Sequence, residues 1–427
     1  MAFLPVILVF ILYFSSIPVA YALFGSSMVY FSFMNVGSPP DLILQKYVTS
    51  ASSFSLLAIP FFIMAGSIMN YSGISDKLMK FADVLTGHLP GGLGQVNVVL
   101  SLLMGGVSGS ANADAAMQSK MLVPEMEKRG YSKSFSSAIT AASSAVTPVI
   151  PPGIDLIIFA LIAGVSVGKL FLAAYLPAIF MAIGLMITVH IISKKRDYKP
   201  SRERRAGAGE IGKQTIESIW ALLFPFGIIG GLRLGIFTAS EAGAVAVLYT
   251  VIVGIFIYKE LKWKHFIPIM KETVYGSSSV VLIVVAASVF GYYMSWERIP
   301  QMLTSLLLGI TQSKYIMLFL INILLLIMGM FLEGGAAMII IAPLLVPVVT
   351  SLGVDPVHFG IIVILNIMIG GITPPFGSMM FTVCSITGCE LVDFFREVIP
   401  FIIALLIVLM IITYIPQIAM VLPNLIY

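Results

Sequence analysis

The chain has 427 residues, of which 59% are hydrophobic and only 10% are charged. Its mean hydropathy of +1.04 lies far outside the range of soluble globular domains. The net charge of +4 is small and its basic residues cluster in loops, so it does not indicate nucleic-acid binding. The composition predicts an all-α, polytopic integral membrane protein with about a dozen spanning or half-spanning segments.

In chain order, the first apolar run covers residues 1–23, which we interpret as an uncleaved first helix because it lacks a basic segment. A polar, basic stretch over residues 193–218 is expected to be cytoplasmic by the positive-inside rule. A second basic segment, residues 259–272, carries Trp263 and Phe266 and is typical of an amphipathic interfacial helix. Between the two segments, residues 219–236 and 241–257 predict a helical hairpin.

Two parts of the chain are related by a shift of 223 residues. Pro124 lies opposite Pro347 (347 − 124 = 223), and Gly130 lies opposite Gly353. The same shift places Pro151, Pro152 and Pro177 on Pro374, Pro375 and Pro400. The pattern divides the chain into a scaffold helix and loop (1–50), a first repeat (51–195), a linker with a hairpin and an amphipathic helix (196–274), and a second repeat (275–427). We favour inverted repeats, because broken helices that enter the membrane from opposite faces bring both of their breaks to the same depth.

Each repeat contains a proline-rich break, at residues 143–153 and 370–377. Non-helical backbone at membrane depth persists only inside protein or beside a water-filled cavity. A proline cannot donate to the carbonyl four residues before it, so Pro151 is expected to free the Thr147 carbonyl, and Pro374 that of Gly370. With the Thr147 and Thr373 hydroxyls, such oxygens suit a hard cation such as Na⁺. The alternative is a structural kink whose carbonyls bond neighbouring helices or water.

Small and polar residues precede each break, at residues 105–114 and 329–336, and predict the tips of re-entrant hairpins. The alternative is close helix packing, since Gly105 and Gly109 have the small-xxx-small spacing. Asp114, Asp155 and Glu333 flank these features, and intramembrane carboxylates are functional candidates by default. They are able to bind a cation, relay protons or cap a half-helix; we favour capping for Asp155 and leave the other two open.

Thr238 and Glu241 have the spacing of a capping box that opens an apolar helix. Phosphate-binding glycine loops, Cys/His metal spacings and nucleophile elbows are missing from the sequence, so we expect no enzymatic activity. Without a nucleotide-binding motif the chain alone cannot use ATP. Any transport must draw on an ion gradient or on a separate ATPase.

Five stretches together resemble the large membrane subunit of tripartite ATP-independent periplasmic (TRAP) transporters, the DctM-like family. They are residues 106–110, 150–153, 164–173, 235–242 and 352–360, the last running on to 373–375. The sequence departs from the usual family pattern at Gly153, where serine is common, at residues 146–149, and at the polar tip residues Asn112 and Asp114.

The resemblance implies a Na⁺-driven symporter of the bacterial inner membrane, embedded in lipid, with an elevator motion. It also implies a small four-helix membrane subunit, a periplasmic substrate-binding protein and a small organic-acid substrate, a carboxylate or acidic sugar. By the same analogy, Na⁺ is expected at Ser108, Ser110, Thr147, Ile150 and Pro151 in one half, and at Gly329, Gly370, Thr373 and Phe376 in the other. Asn112, Asp114, Glu333 and Gly334 complete the candidate substrate and ion residues. The alternative functions are a stand-alone proton- or Na⁺-coupled carboxylate carrier of related fold and, from other classes, a membrane enzyme or passive channel.

Overall fold

The computed structural model describes residues 3–34 and 41–427, and within them every regular element is a helix. Two sets of seven helices follow one another in the same order. The first set comprises α4 (Ala58–Tyr71), α5 (Ile74–Thr86), α6 (Gly92–Ser108), α7 (Ala111–Lys128), α8 (Lys133–Ser144), α9 (Ile154–Ala163) and α10 (Val167–Arg196). The second comprises α13 (Phe266–Trp296), α14 (Ile299–Ile310), α15 (Lys314–Phe331), α16 (Gly334–Ser351), α17 (Pro356–Gly370), α18 (Ser378–Thr387) and α19 (Leu391–Tyr414).

The remaining helices flank these sets. They are α1 (Leu4–Phe14), α2 (Val19–Val29) and α3 (Asp41–Ala51) before the first set, α11 (Ala208–Arg233) and α12 (Ala239–Ile252) between the sets, and α20 (Pro416–Ile426) after the second. The predicted hairpin is present as α11 and α12. The hydroxyl of Tyr249 on α12 donates to the Trp220 carbonyl on α11 at 2.6 Å and helps to hold the pair together.

The duplication predicted from the sequence is present in the helix boundaries. Helix α7 covers residues 111–128, and adding 223 gives 334–351, which are the bounds of α16. Two pairs of helices also exchange packing partners between the two sets: α9 packs against α16, and α18 packs against α7. Such exchanged packing is what a pseudo-two-fold axis between the repeats produces.

The repeats are inverted. Helices α10 and α19 are equivalent, yet Arg196 near the end of α10 pairs with Glu397 near the start of α19 at 2.9 Å. Gly184 precedes Arg196 on α10, and a Cβ placed on it would lie 3.3 Å from Val408, which follows Glu397 on α19. Equivalent helices therefore run antiparallel, and the axis that relates them is perpendicular to the helices.

Seven of the described helices are long and apolar enough to cross a membrane, and the bent pair formed by residues 133–149 and 154–163 raises this to eight. Many apolar side chains on the outer helices are exposed, among them Ile187, Phe226, Leu248 and Ile323. Such surfaces are stable against lipid hydrocarbon rather than water. The chain is a multi-pass membrane protein.

Two local expectations differ from the structure. The first apolar run forms two helices, because Ser16 has a φ of +66° and Pro18, which lacks an N–H, interrupts the hydrogen-bond ladder. The basic segment 259–272 does not form a helix of its own. A short 3-10 turn over Trp263–His265 leads directly into α13, which continues from Phe266 for 31 residues; Pro268 falls in its first turn, where a proline is tolerated.

Candidate functional site

One cavity of about 480 Å³ lies where the two repeats meet. Its wall includes Ser110 from the turn between α6 and α7, with Asn112 at the start of α7. It also includes Glu333 from the turn between α15 and α16, with Gly329 near the end of α15 and Gly334 at the start of α16. The first residues of four helices, α7, α9, α16 and α18, also line it. Both predicted hairpin tips and the helices that follow both proline breaks therefore meet at one place.

The first hairpin lies directly against the first break. A Cβ on Gly105 would overlap the Ile150 side chain and lie 2.7 Å from the carbonyl oxygen of Thr147. A Cβ on Gly109 would lie 3.1 Å from the carbonyl oxygen of Pro152. Only residues without side chains allow α6 to approach these carbonyl groups so closely. The contact between hairpin and break is thus lined by backbone oxygens.

The second hairpin meets the second break in the same manner. A Cβ on Gly329 would lie 2.9 Å from the carbonyl oxygen of Ile367 and 3.3 Å from Gly370 Cα. A Cβ on Gly370 would lie 2.8 Å from the carbonyl oxygen of Leu326. Gly329 and Gly370, both candidate Na⁺ residues, are in backbone contact.

The expectation that proline frees the Thr147 and Gly370 carbonyls needs correction. The Thr147 carbonyl accepts from the Ile150 N–H at 3.3 Å, and the Gly370 carbonyl from the Thr373 N–H at 2.9 Å. Helix ends commonly tighten into such i→i+3 bonds and satisfy carbonyls that have lost their usual partner. Each oxygen keeps a second lone pair. The Thr373 hydroxyl donates to the Ile369 carbonyl at 2.6 Å.

Asp114 is 1% exposed and forms the centre of a buried polar cluster. Its Oδ2 accepts from the side chains of Ser101, Gln118 and Thr147, each at 2.8 Å. Its Oδ1 and the Oε1 of Gln118 have no hydrogen-bond partner among the described residues. Asp114 therefore does not cap α7; Ser110 is the N-cap, accepting from the Ala113 N–H at 3.4 Å.

The Asp114 cluster belongs to the first repeat alone. Adding 223 to positions 101, 114 and 118 gives Leu324, Ala337 and Ile341, which are all apolar. Sequence reasoning missed Ser101 and Gln118. The i, i+4 spacing of Asp114 and Gln118 on a re-entrant helix was the signal that would have found Gln118.

Asp155 lies in the first turn of α9, where the helix dipole favours a negative charge, although the N-cap residue is Gly153. Its carboxylate oxygens lie 3.3 and 3.4 Å from the position of a Cβ on Gly334, at the start of α16. Asp155 therefore lies beside the second hairpin tip and lines the cavity together with Glu333 and Glu272. Glu272, on α13, was not among the candidates from the sequence.

The other candidates are distributed along the same features. Ser108 ends α6, and Pro151 is joined to Pro152 by a cis peptide bond. Phe376 is 52% exposed, and its ring centroid lies 5.0 Å from that of Phe331, the last residue of α15. Phe376 thus brings a ring rather than an oxygen-bearing side chain to the second tip.

The predicted capping box at the start of α12 is confirmed. The Thr238 hydroxyl accepts from the Glu241 N–H at 3.4 Å, and the Glu241 carboxylate accepts from the Thr238 N–H at 2.8 Å. Glu241 therefore stabilises a helix end. Arg233 lies before this turn, and in the part of the chain that the structure describes it forms no ion pair with Glu241.

Comparison with solved structures finds two transporters with a similar fold. The chain matches the YdaH transporter of Alcanivorax borkumensis with a TM-score of 0.62 at 13% identity, over 87% of this chain and 86% of that one. It matches the MtrF protein of Neisseria gonorrhoeae with a TM-score of 0.53 at 15% identity, over 96% and 94% of the two chains. At these identities the likeness is one of fold alone.

Comparison of sequences gives a closer relation. The family model of the DctM component of the tripartite ATP-independent periplasmic transporter matches residues 6–418. The sialic acid TRAP transporter large permease protein SiaM of Vibrio cholerae is 38% identical over 416 residues, which are 97% of this chain and 96% of that protein. The C4-dicarboxylate large permease protein DctM of Pseudomonas aeruginosa is 33% identical over 384 residues, 90% and 89% of the two chains. The chain therefore belongs to the DctM family, the large permease component of TRAP transporters, and it is not an enzyme.

Proposed function

We propose that this chain is the membrane permease of a Na⁺-coupled importer that receives an organic acid from a periplasmic binding protein and acts with a small four-helix membrane subunit in the bacterial inner membrane. The observation that carries the proposal is the cavity of about 480 Å³ between the two hairpin tips. Relatives named for sialic acid, 2,3-diketo-L-gulonate and C4-dicarboxylates support an acidic substrate.

The hairpin–break contacts support Na⁺ as the coupling ion. Na⁺ is a hard cation that takes oxygen ligands. The carbonyl oxygens of Thr147, Pro151 and Pro152 face the first hairpin, and the carbonyl oxygen of Ile367 faces Gly329 in the second. Unwound backbone between half-helices coordinates coupling ions in other secondary transporters. A cation bound at each contact would hold a hairpin tip against its break and so couple ion occupancy to closure of the cavity.

The packing also supports an elevator motion. Each hairpin packs against the broken helix of the opposite repeat, α7 with α18 and α16 with α9. This exchange ties both tips and both breaks into one unit, which we propose moves as a body and carries the cavity across the membrane. The outer helices α11 and α12 pack on α4 and α5 and belong, in this proposal, to the stationary scaffold.

A second candidate, proton coupling, is favoured by one observation. Asp114 is a buried carboxylate with no cationic partner among the described residues, and a buried charge without a partner is costly. A bound proton or a bound cation would each remove that cost.

Uptake into proteoliposomes separates these candidates. With the small subunit and the binding protein present, we expect accumulation under an inward Na⁺ gradient and none under a proton gradient alone. Accumulation driven by a proton gradient without Na⁺ contradicts the Na⁺ proposal. Accumulation without the binding protein contradicts the tripartite proposal and favours a stand-alone carrier.

A further inference from the structure

The charge of the central cavity is unusual for a site that accepts an acid. Three carboxylates line it, those of Asp155, Glu272 and Glu333, and among its described lining residues there is no lysine, arginine or histidine. A substrate that was only an anion would face these groups at close range without any side-chain cation. Like charges that lie close together in a site of low dielectric repel each other strongly.

Two of the carboxylates have free acceptor capacity. Glu272 is already bonded, since it accepts from Ser67 and, at 2.7 Å, from the Tyr71 hydroxyl. The Asp155 carboxylate forms no hydrogen bond or ion pair with any described residue. Glu333 is the N-cap residue of α16, yet its side chain makes no capping bond. Asp155 and Glu333 are therefore both open to a ligand in the cavity.

An independent observation also points to a donor on the ligand. Asn112 lines the same cavity, and its Oδ1 is buried without any hydrogen-bond partner among the described residues. A buried acceptor that is left without a donor costs about 1–3 kcal/mol. Because an amide oxygen accepts only, a bare carboxylate does not satisfy it, whereas an N–H or O–H group on the ligand does.

The backbone supplies the complementary charge. The helices α7 and α18 begin at the cavity wall, and unlike α9 and α16 they do not have Asp155 or Glu333 at their start. Their first N–H groups lack intrahelical acceptors, and each helix end carries a partial positive charge, so a ligand carboxylate is favoured there. Positive helix ends and free carboxylates thus face one space, which suits a ligand with both charges.

We propose that the substrate is an organic acid that also carries a protonated amine, with the ammonium group held by Asp155 and Glu333 and the acid group by the helix N-termini. This inference rests on the proposed import function and names its substrate class. It assigns to Asp155 the part of a specificity-determining residue, since Asp155 lies beside the tip glycine Gly334.

Matched pairs of acids test this proposal in proteoliposomes that hold the complete transport system under a Na⁺ gradient. The probes are 4-aminobutyrate with butyrate, aspartate with succinate, and glutamate with glutarate, supplied as an equimolar mixture and measured by mass spectrometry. We expect accumulation of at least one amine-bearing acid, and at least tenfold less of its amine-free partner. Preferential accumulation of amine-free acids overturns the inference and leaves import intact. Accumulation of no probe counts against the proposed import and against this inference with it.

Variants test the assignment to Asp155. Asp155→Asn keeps the shape of the side chain and removes its charge, so we expect about tenfold lower uptake of the amine-bearing acid through a raised KM. Asp197→Asn is the matched control, because Asp197 is exposed in the linker and remote from the cavity; we expect unchanged uptake. Unchanged uptake by Asp155→Asn overturns the assignment. The assignment is also overturned if Asp155→Asn weakens the Na⁺ dependence of uptake as much as it weakens uptake itself, because that result marks an ion site. Glu333→Gln is a second variant with the same expectation, which keeps the test valid if Asp155→Asn fails to fold.

Discussion

Replacing Gly329 with alanine tests whether the second hairpin needs direct backbone contact with its break. The new Cβ would lie 2.8 Å from Ile367 Cα and 2.9 Å from the Ile367 carbonyl oxygen. Carbon atoms pack at about 3.5–4.0 Å, and because both neighbours are backbone atoms, α15 and α17 must separate by about 0.5–1 Å. The carbonyl ligands proposed for Na⁺ would move apart by a similar distance.

The energetic consequence follows from two opposing effects. Overpacking costs about 1–3 kcal/mol, whereas exchanging glycine for alanine within a helix returns up to about 1 kcal/mol. We therefore expect a net destabilisation of up to about 2 kcal/mol and, for a chain of 427 residues, a Tm lower by up to about 2 °C, with a weaker apparent affinity for Na⁺ in uptake.

The assay is thermal unfolding of the purified protein followed by tryptophan fluorescence, together with Na⁺ titration of uptake. Gly230→Ala is the control, since Gly230 lies within α11 and a Cβ there meets no atom within 4 Å. If Gly329→Ala matches Gly230→Ala in both Tm and Na⁺ titration, the contact between hairpin and break is not as described here.

Four further variants test separate parts of the structure. Thr373→Ala is expected to raise the Na⁺ concentration for half-maximal uptake several-fold. Thr238→Ala removes a helix cap, so we expect it to cost about 1 kcal/mol of stability and to leave the Na⁺ dependence unchanged. Equal Na⁺ titrations for the two variants would contradict the proposed site at Thr373. Asp114→Ala removes the acceptor that Ser101, Gln118 and Thr147 share; although Gln118 and Thr147 keep second acceptors on Ser101, we expect a cost of about 1–3 kcal/mol. An unchanged Tm would argue against the buried cluster. Glu397→Gln removes the ion pair with Arg196 between the repeats. Because this pair is partly exposed, we expect the free energy of unfolding to fall by about 1 kcal/mol or less, and this difference to vanish in high salt. A larger loss that does not depend on salt would mean that Glu397 has another part in the fold.

The duplication was predictable from the sequence because prolines and glycines cannot be exchanged freely for other residues. Pro151 and Pro374 keep their register over the shift of 223, and the helices on either side of them keep it too. The two hairpin tips were predictable for the same reason, since glycine is what allows the backbone to turn and approach other backbone.

The arrangement of side chains was less accessible. The sequence does not say which polar group on one helix meets which on another, so Ser101 was not linked to Asp114. The sequence predicts that Asp155 caps a helix, because its position after a Pro-Pro-Gly run satisfies that rule locally; its place beside Gly334 depends on the packing of one repeat against the other. The acidic character of the cavity follows only from that packing.

The central claim is that Na⁺ binds at the two contacts between hairpin and break, and thermal unfolding of the purified permease in different salts tests it most directly. A ligand present at 100 times its Kd stabilises the folded state by about 2.7 kcal/mol. We predict that Tm rises and saturates with Na⁺, that K⁺ at equal ionic strength has no such effect, and that Gly329→Ala shifts the Na⁺ curve to higher concentration. An equal response to Na⁺ and K⁺, or none to either, would contradict the account.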